Sequence, residues 1–362
     1  MPRLRGADDS AAVSARPTLR HVAARSGLSI KTVSRVINGD AFVAPSTAAR
    51  VNQAIAELGY APNLVARSLR MGRDNAIALV VTSINDPFFA DITAAIEETA
   101  REHGCFVIVA CTGEGPAAEQ TVVTGLLTRQ VSGLILVPTA PSQAYLSGMG
   151  SATPVVCVDR PAVDVDCDAV LVNNEESAFG ATNWLLSHGH RRVAFVGGPA
   201  DKYTIKWRRA GYDRALKAAG IDPDAALTVP AAVLPNEAGE VVPRLLTLED
   251  PVTAILTSNA KASLGVVAAL HSARRTDIAM VGFDDFPMAT AVVPPVTVVS
   301  QSPTMLGRHA AELLFRRIGG DNQAAGRLVL PTTLVVRGSG ELPPRGARER
   351  HGGAVTAAAP VA

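Results

Sequence analysis

The sequence predicts a chain of two unlike parts: a small all-α module, then a two-lobed α/β body built from doubly wound parallel sheets. Three observations carry this. Between Thr18 and Tyr60, apolar residues recur at helical spacing in three short runs punctuated by Gly27 and Gly59. From Asn75 onward, short continuous apolar runs alternate with longer helical patterns, the rhythm of parallel strands covered on both faces. Charge is also uneven. Arg16 to Arg73 holds nine basic residues against two acids, Asp40 and Glu57, a net +7 that leaves −6 for the rest of a chain totalling +1. A compact basic module on a mildly acidic body suits a polyanion binder with a separate second task. With 362 residues, 48% of them hydrophobic, the chain can enclose more than one core.

In the first part, Thr18 is placed to cap a helix whose buried face is Leu19, Val22 and Ala23, and Gly27 stops it. Ser29 is placed to cap the next, in "SIKTVSRVING". There Ile30, Val33, Val36 and Ile37 hold a helical spacing while Lys31, Thr32, Ser34 and Arg35 fill the positions between them. Asn38-Gly39-Asp40 is turn chemistry, and a third pattern runs from Ser46 to Leu58, with Val51, Ile55 and Leu58 on one face and Gly59 as its stop. Two helices joined by a tight glycine turn form a helix-turn-helix, whose second helix suits the major groove of DNA.

In the second part, Ile77–Val81, Phe106–Ala110, Leu134–Val137 and Val155–Val158 read as strands. The rhythm resumes after Asp168 with Val170–Val172, Val193–Val196, Ala254–Leu256 and Ile278–Val281. About nine strands exceed one comfortable sheet, so two lobes are expected, with a cleft between them at the carboxyl ends of the strands. The expected organisation is a disordered tail at 1–16, the helix-turn-helix at 17–61, a hinge at 62–74, a body at 75–340 and a second disordered tail at 341–362. Lobe crossovers are expected near 172, 299 and 327.

Cys105, Cys111, Cys157 and Cys167 stand apart with no C-x-x-C pair, so reduced thiols are expected and a zinc or disulfide framework is not. No long apolar run exists, and Asp8 and Asp9 stand where a signal peptide would need its apolar core. A soluble cytoplasmic protein is expected.

The chain resembles the lactose-repressor (LacI/GalR-type) family of transcription regulators from Thr18 to about Ser339. The resemblance rests on markers in the right order, among them "TLRHVAARSGLSIKTVSRVING", "LGYAPNLVARSLR", "NDPFFADI", "VCVDRP", "HGHRRVAFVGGP", "RRAGYDRAL", "VGFDD" and "PPVTVVSQ". It implies a periplasmic-binding-protein-like core and a repressor that binds a pseudo-palindromic operator, with affinity altered by a sugar-like effector in the inter-lobe cleft. By position, Ile30, Lys31 and Arg35 match the family's base readers; Arg or Lys suits guanine O6 and N7, and an apolar side chain suits a thymine methyl. Ser29, Thr32 and Ser34 suit phosphate oxygens. The resemblance extends DNA contact to Thr18 and Asn38, and in the hinge to Asn63, Ala66, Arg67, Leu69 and Arg70. Leu69 would wedge between central base pairs, with Arg67 and Arg70 near phosphates.

For the effector, the matching positions are Asp159, Arg208, Asn259, Asp284 and Gln301. Carboxylates accept from hydroxyls and arginine donates to them. Asp159 and Gln301 fit a capped strand end or lobe contact equally well. Phe88 and Phe89 fit either an apolar floor beneath the ligand or core. Two departures stand out: Ala260-Lys261 follows Asn259 where an acid is common, and Asn173 also replaces a frequent acid. A more anionic ligand such as a phosphorylated sugar, a sugar acid or a nucleotide base derivative would fit that change, while Lys261 pointing to solvent is the alternative.

The expected assembly is a homodimer, with a tetramer as the alternative; no C-terminal heptad repeat favours the latter. No cofactor, metal or catalysis is expected. His188 and His190 sit at a helix end with nothing to complete a metal site, "GEGPAAEQ" lacks the Lys-Ser/Thr of a P-loop, and no G-x-S-x-G elbow occurs. The rival reading, a solute-binding protein for transport, shares the two-lobed body but has no use for residues 18 to 70.

Overall fold

The computed structural model describes residues 17–37, 40, 42–60, 75–113, 115–149, 153–230 and 235–345. The chain forms two compact units that divide after Asp74.

The first unit holds α1 (Leu19–Ser26), α2 (Ile30–Ile37) and α3 (Pro45–Leu58). Val22, Val33 and Val51, all fully buried, close its core with Ala23 and Ala54. α1 ends at Gly27, whose φ of +65° favours glycine, and Leu28 N–H reaches back to Ala23 O at 3.1 Å. α3 starts one residue earlier than the sequence pattern suggests, because Pro45 occupies the first helical position, where its missing N–H costs nothing.

The second unit contains two six-stranded sheets. The first lobe is built on β1 (Ala76–Val81), β2 (Phe106–Cys111), β3 (Gly133–Leu136), β4 (Val155–Val158) and β5 (Asp168–Val172), with α4 (Pro87–Glu102) and α5 (Pro116–Thr128) on its faces. The second lobe follows as α6 (Asn174–Ser187), β6 (Val193–Gly197), α7 (Tyr203–Ala218), β7 (Thr228–Pro230), α8 (Pro235–Leu246), β8 (Ala254–Thr257), α9 (Ala260–Ser272), β9 (Ala279–Phe283) and β10 (Thr297–Ser300). The chain then returns to the first lobe for α10 (Pro303–Ile318) and β11 (Arg327–Leu330) and crosses back for β12 (Thr333–Val335).

The strand orders are β11-β5-β4-β3-β1-β2 and β12-β10-β9-β8-β6-β7. Every pairing is parallel except that of β12 with β10. The inner strands are buried along nearly their whole length, as a sheet covered on both faces requires.

Two expectations are corrected here. The third crossover lies at 331–332, not near 327: β11 stays in the first sheet, paired with β5 from Arg327↔Ala169 to Leu330↔Val172. Pro331 lacks the N–H to continue the ladder, so the apolar run breaks there and the chain changes lobe. The body also does not end at 340. Glu341 accepts a hydrogen bond from Trp184 Nε1 at 2.7 Å, Leu342 O contacts His190 Nε2 at 2.7 Å, and Arg345 pairs with Asp277 at 2.5 Å. A segment without periodicity is thus held by partners far away in sequence.

Candidate functional site

In the first unit, α2 buries Val33 and leaves its other face outward. Ser29 Oγ accepts the Thr32 N–H at 3.1 Å and lies 2.9 Å from Thr32 Oγ1, so these hydroxyls cap the helix start. Ile30 is 46% exposed, Lys31 and Arg35 are exposed, and Ser34 is half-buried. Thr18 is exposed and its backbone N–H donates to His21 Nδ1 at 3.2 Å. Arg35 Nε donates to Asp40 Oδ2 at 2.7 Å, a partnership that the sequence pattern did not reveal. Asn38, Asn63, Ala66, Arg67, Leu69 and Arg70 lie outside the described residues.

In the second unit, a cleft of about 660 Å³, open to solvent, lies at the carboxyl ends of the strands between the lobes. All eight effector candidates line it: Phe88, Phe89, Asp159, Arg208, Asn259, Lys261, Asp284 and Gln301. The reason is topological. Asp159 follows β4 and Asp284 follows β9, and each has φ of +68°. Each also donates its backbone N–H to a neighbouring strand, Asp159 to Val170 O at 3.0 Å and Asp284 to Val299 O at 2.9 Å. Aspartate tolerates this left-handed conformation better than most residues, and it turns each carboxyl out of its strand. Phe89 belongs to the first lobe's core, 4% exposed, while half-buried Phe88 meets it edge-on with ring centroids 5.2 Å apart.

Arg208 is the most constrained group. Its Nε donates to Asn174 Oδ1 at 2.8 Å, its Nη1 donates to Ser258 O at 2.6 Å, and Cζ stacks 3.6 Å from the Phe283 ring centroid. Asp284 Oδ2 lies 3.5 Å from Nη1, and Gln301 Nε2 donates to Asp284 Oδ1. Burial draws the Arg208 pKa down, while Asp284 and Asp159 support its charge. Burial likewise pushes the Asp284 carboxyl above its ordinary value, against the pull of Arg208 and Gln301. Such an array is a fixed set of donors and acceptors that cannot relax far from its geometry.

Asn259 lines the cleft but also caps α9, its Oδ1 accepting from Ala262 N at 2.8 Å. Lys261 does not simply face solvent: its Nζ lies 3.3 Å from Asp86 Oδ2, joining α9 of the second lobe to the cap of α4 in the first. Asn173 is a helix cap, accepting from Glu176 N at 3.4 Å, and is not among the residues that line the cleft. Sequence reasoning missed Asp86, Arg160, Lys202 and Thr204, which also line it. Asp86 and Arg160 stand inside quoted motifs, "NDPFF" and "VCVDRP", so their neighbours were the available signal. His190 is buried and holds Thr253 and Leu342, a structural task. Among the described residues, no cluster of three or more His, Cys, Asp or Glu is placed to hold a metal ion.

Comparison with known proteins identifies relatives of both parts of the chain. Residues 18–63 match the family described as "Bacterial regulatory proteins, lacI family", and residues 182–340 match the periplasmic binding protein-like domain. The chain is 33% identical over 328 residues to the ribose operon repressor of Escherichia coli (strain K12), covering 89% of this chain and 99% of that one. It is similar to the solved complex of the transcriptional regulator CelR with cellobiose, at 33% identity and a TM-score of 0.66, covering 90% of this chain and 100% of that one. It is also similar to the lac repressor dimer bound to operator and the anti-inducer ONPF, at 27% identity and a TM-score of 0.80, covering 91% and 100%. The chain therefore belongs to the lacI family of bacterial regulatory proteins, and it is a ligand-responsive, DNA-binding transcriptional repressor.

Proposed function

We propose that the cleft binds a small neutral sugar or sugar derivative and that its occupancy sets the affinity of a homodimer for a pseudo-palindromic operator. One observation carries the effector reading: buried Arg208, held by Asn174, Ser258 and Phe283, stands against the Asp284–Gln301 pair between the lobes. Donors and acceptors fixed side by side suit vicinal hydroxyls. Gln301 Oε1 is buried without a hydrogen-bond partner among the described residues, which favours a polar ligand, while Arg160 Nε lies 3.3 Å from Asp159 Oδ2. The cations lining the cleft, Arg160, Lys202, Arg208 and Lys261, face the carboxylates of Asp86, Asp159 and Asp284. With Lys261 matched by Asp86 and Arg208 by Asp284, the near balance favours a neutral ligand over the anionic one that Lys261 alone suggests. Relatives named for ribose and solved with cellobiose support the sugar class.

On the DNA side, Ile30, Lys31 and Arg35 of α2 read base edges and Ser34 meets phosphate, while in the hinge Leu69 supplies the minor-groove wedge with Arg67 and Arg70 near phosphates. Twofold symmetry of the dimer matches that of the operator. An inducer that weakens operator binding binds correspondingly less tightly to the operator complex. The relatives are named as repressors, and the cleft serves as a binding site without turnover. Among the described residues no helix is long and apolar enough to cross a membrane. A repressor acts where its operator DNA is, so the cytoplasm is the compartment this reading requires.

The test is selection of random duplex DNA by the purified protein at fixed, near-physiological salt. Calorimetry with pentoses, hexoses, disaccharides and their phosphates follows. A palindrome whose binding responds to one neutral sugar is the expected result. Enrichment of no sequence, alone or with sugars, sinks the operator reading. A response confined to phosphorylated compounds sinks the neutral-ligand reading.

A further inference from the structure

We infer that Asp40 is a specificity-determining positioning residue, which holds the Arg35 guanidinium in one orientation for base reading at the expense of affinity for DNA in general. The inference rests on the reading of α2 as the base-reading helix.

Asp40 is fixed from several sides. Its backbone N–H donates to Arg35 O at 3.1 Å, and its own carbonyl accepts from Val43 N at 3.1 Å. Its carboxylate is used at both oxygens: Oδ2 accepts from Arg35 Nε at 2.7 Å and Oδ1 accepts from Phe42 N at 3.0 Å. The carboxylate therefore has little freedom, and whatever it holds is held in a fixed place. Arg35 Nε–H and then Phe42 N–H favour the ionised form, which keeps Asp40 charged.

An arginine presents its donors in a planar fork with two usable edges. Occupying Nε removes the edge made by Nε and one Nη, and leaves the end made by Nη1 and Nη2, which matches O6 and N7 of guanine. A free arginine samples many rotamers and must be ordered on binding; Arg35 is ordered beforehand.

Charge makes the inference distinctive. Asp40 is one of only two acids among the nine basic residues between Arg16 and Arg73, and the other, Glu57, pairs with Arg25. A carboxylate beside a DNA-facing helix opposes phosphate attraction, so a residue kept for general affinity would not be an acid. Removing it should move specificity and general affinity in opposite directions, which a residue that merely shapes the turn would not do.

The experiment uses the full chain and its selected operator, with each base pair changed in turn, at fixed salt. Asp40→Ala should lower discrimination at one base-pair position per half-site by roughly three- to tenfold, a fraction of what a bidentate pair supplies. It should leave other positions unchanged and raise affinity for random DNA by about two- to fivefold. In an Arg35→Ala background, Asp40→Ala should alter discrimination nowhere. Asp40→Asn keeps an acceptor for Phe42 N and removes the charge, so it carries the test if the alanine variant does not fold. A uniform loss at every position, unchanged discrimination, or an equal loss in the Arg35→Ala background overturns the positioning role. Failure of the unmodified protein to select any sequence would instead overturn the operator reading beneath it.

Discussion

Gly211 offers a sharp test of how packing sets the site. It lies in α7 three residues beyond Arg208 and faces α6. A Cβ built there would lie 2.8 Å from Phe179 N and 3.0 Å from the Glu175 carbonyl carbon, and closer still to Glu175 O. Unstrained contacts of this kind need about 3.5 Å or more, so Gly211→Ala must part the two backbones by roughly 1 Å. Alanine gains about 1 kcal/mol of helix propensity over glycine. Overpacking that neither backbone can absorb costs about 3 kcal/mol. A net loss of about 2 kcal/mol, or roughly 4–8 °C in Tm for a unit of this size, is expected. Since α7 carries Arg208, effector affinity should fall by roughly tenfold or more as the hydrogen-bond array shifts. Gly125 in α5 is the control: nothing stands within 4 Å of its would-be Cβ, so Gly125→Ala should stabilise by about 0.5–1 kcal/mol. Thermal unfolding with and without effector reads both effects. A Gly211→Ala protein as stable as Gly125→Ala, with an unchanged effector response, would refute the reasoning.

Other outcomes follow from the same geometry. Asp284→Asn should abolish the effector response while operator binding persists, measured by operator retention with increasing sugar; a retained response would move the pocket elsewhere. Effector affinity should rise with pH through the elevated Asp284 pKa, because the ionised carboxylate is the acceptor, and the Asn variant should show no such step. Asp168 behaves in the opposite sense. Burial pushes its pKa up, but the Arg317 fork, at 2.7 and 3.0 Å, and Gly326 N–H hold it below the ordinary carboxylate value. Its contribution is complete above the unfolded carboxylate pKa and is lost as pH falls through the folded one, so urea midpoints should drop below about pH 4 and drop less in Asp168→Asn. Lys261→Met removes a partly exposed ion pair across the cleft, so stability should change by less than about 1 kcal/mol. Effector dissociation should quicken by a fewfold in stopped flow, and an unchanged rate would show that the pair plays no part in holding the lobes together on the ligand.

What the sequence determined alone is what local periodicity encodes. Val22, Val33 and Val51 each sit on the apolar face of their own helix because one face of each helix must be buried, and Gly27 and Gly59 stop helices through a conformation other residues resist. The continuous apolar runs of the inner strands follow from helices covering both sheet faces, and the expected cleft at the strand ends follows from a doubly wound sheet, whereas the individual cleft candidates came from the family resemblance. β7 and β12, short edge strands, carried little of that signal. Only the tertiary structure decided where long-range partners meet. It kept β11 beside β5, carried the body on to Arg345, aimed Lys261 at Asp86 across the lobes, withdrew Asn173 from the cleft and set Asp40 against Arg35. Each of these turns on a pairing or a side-chain direction whose free energy exists only after distant segments, or a turn of the chain, have been brought together, and no local pattern of residues records it.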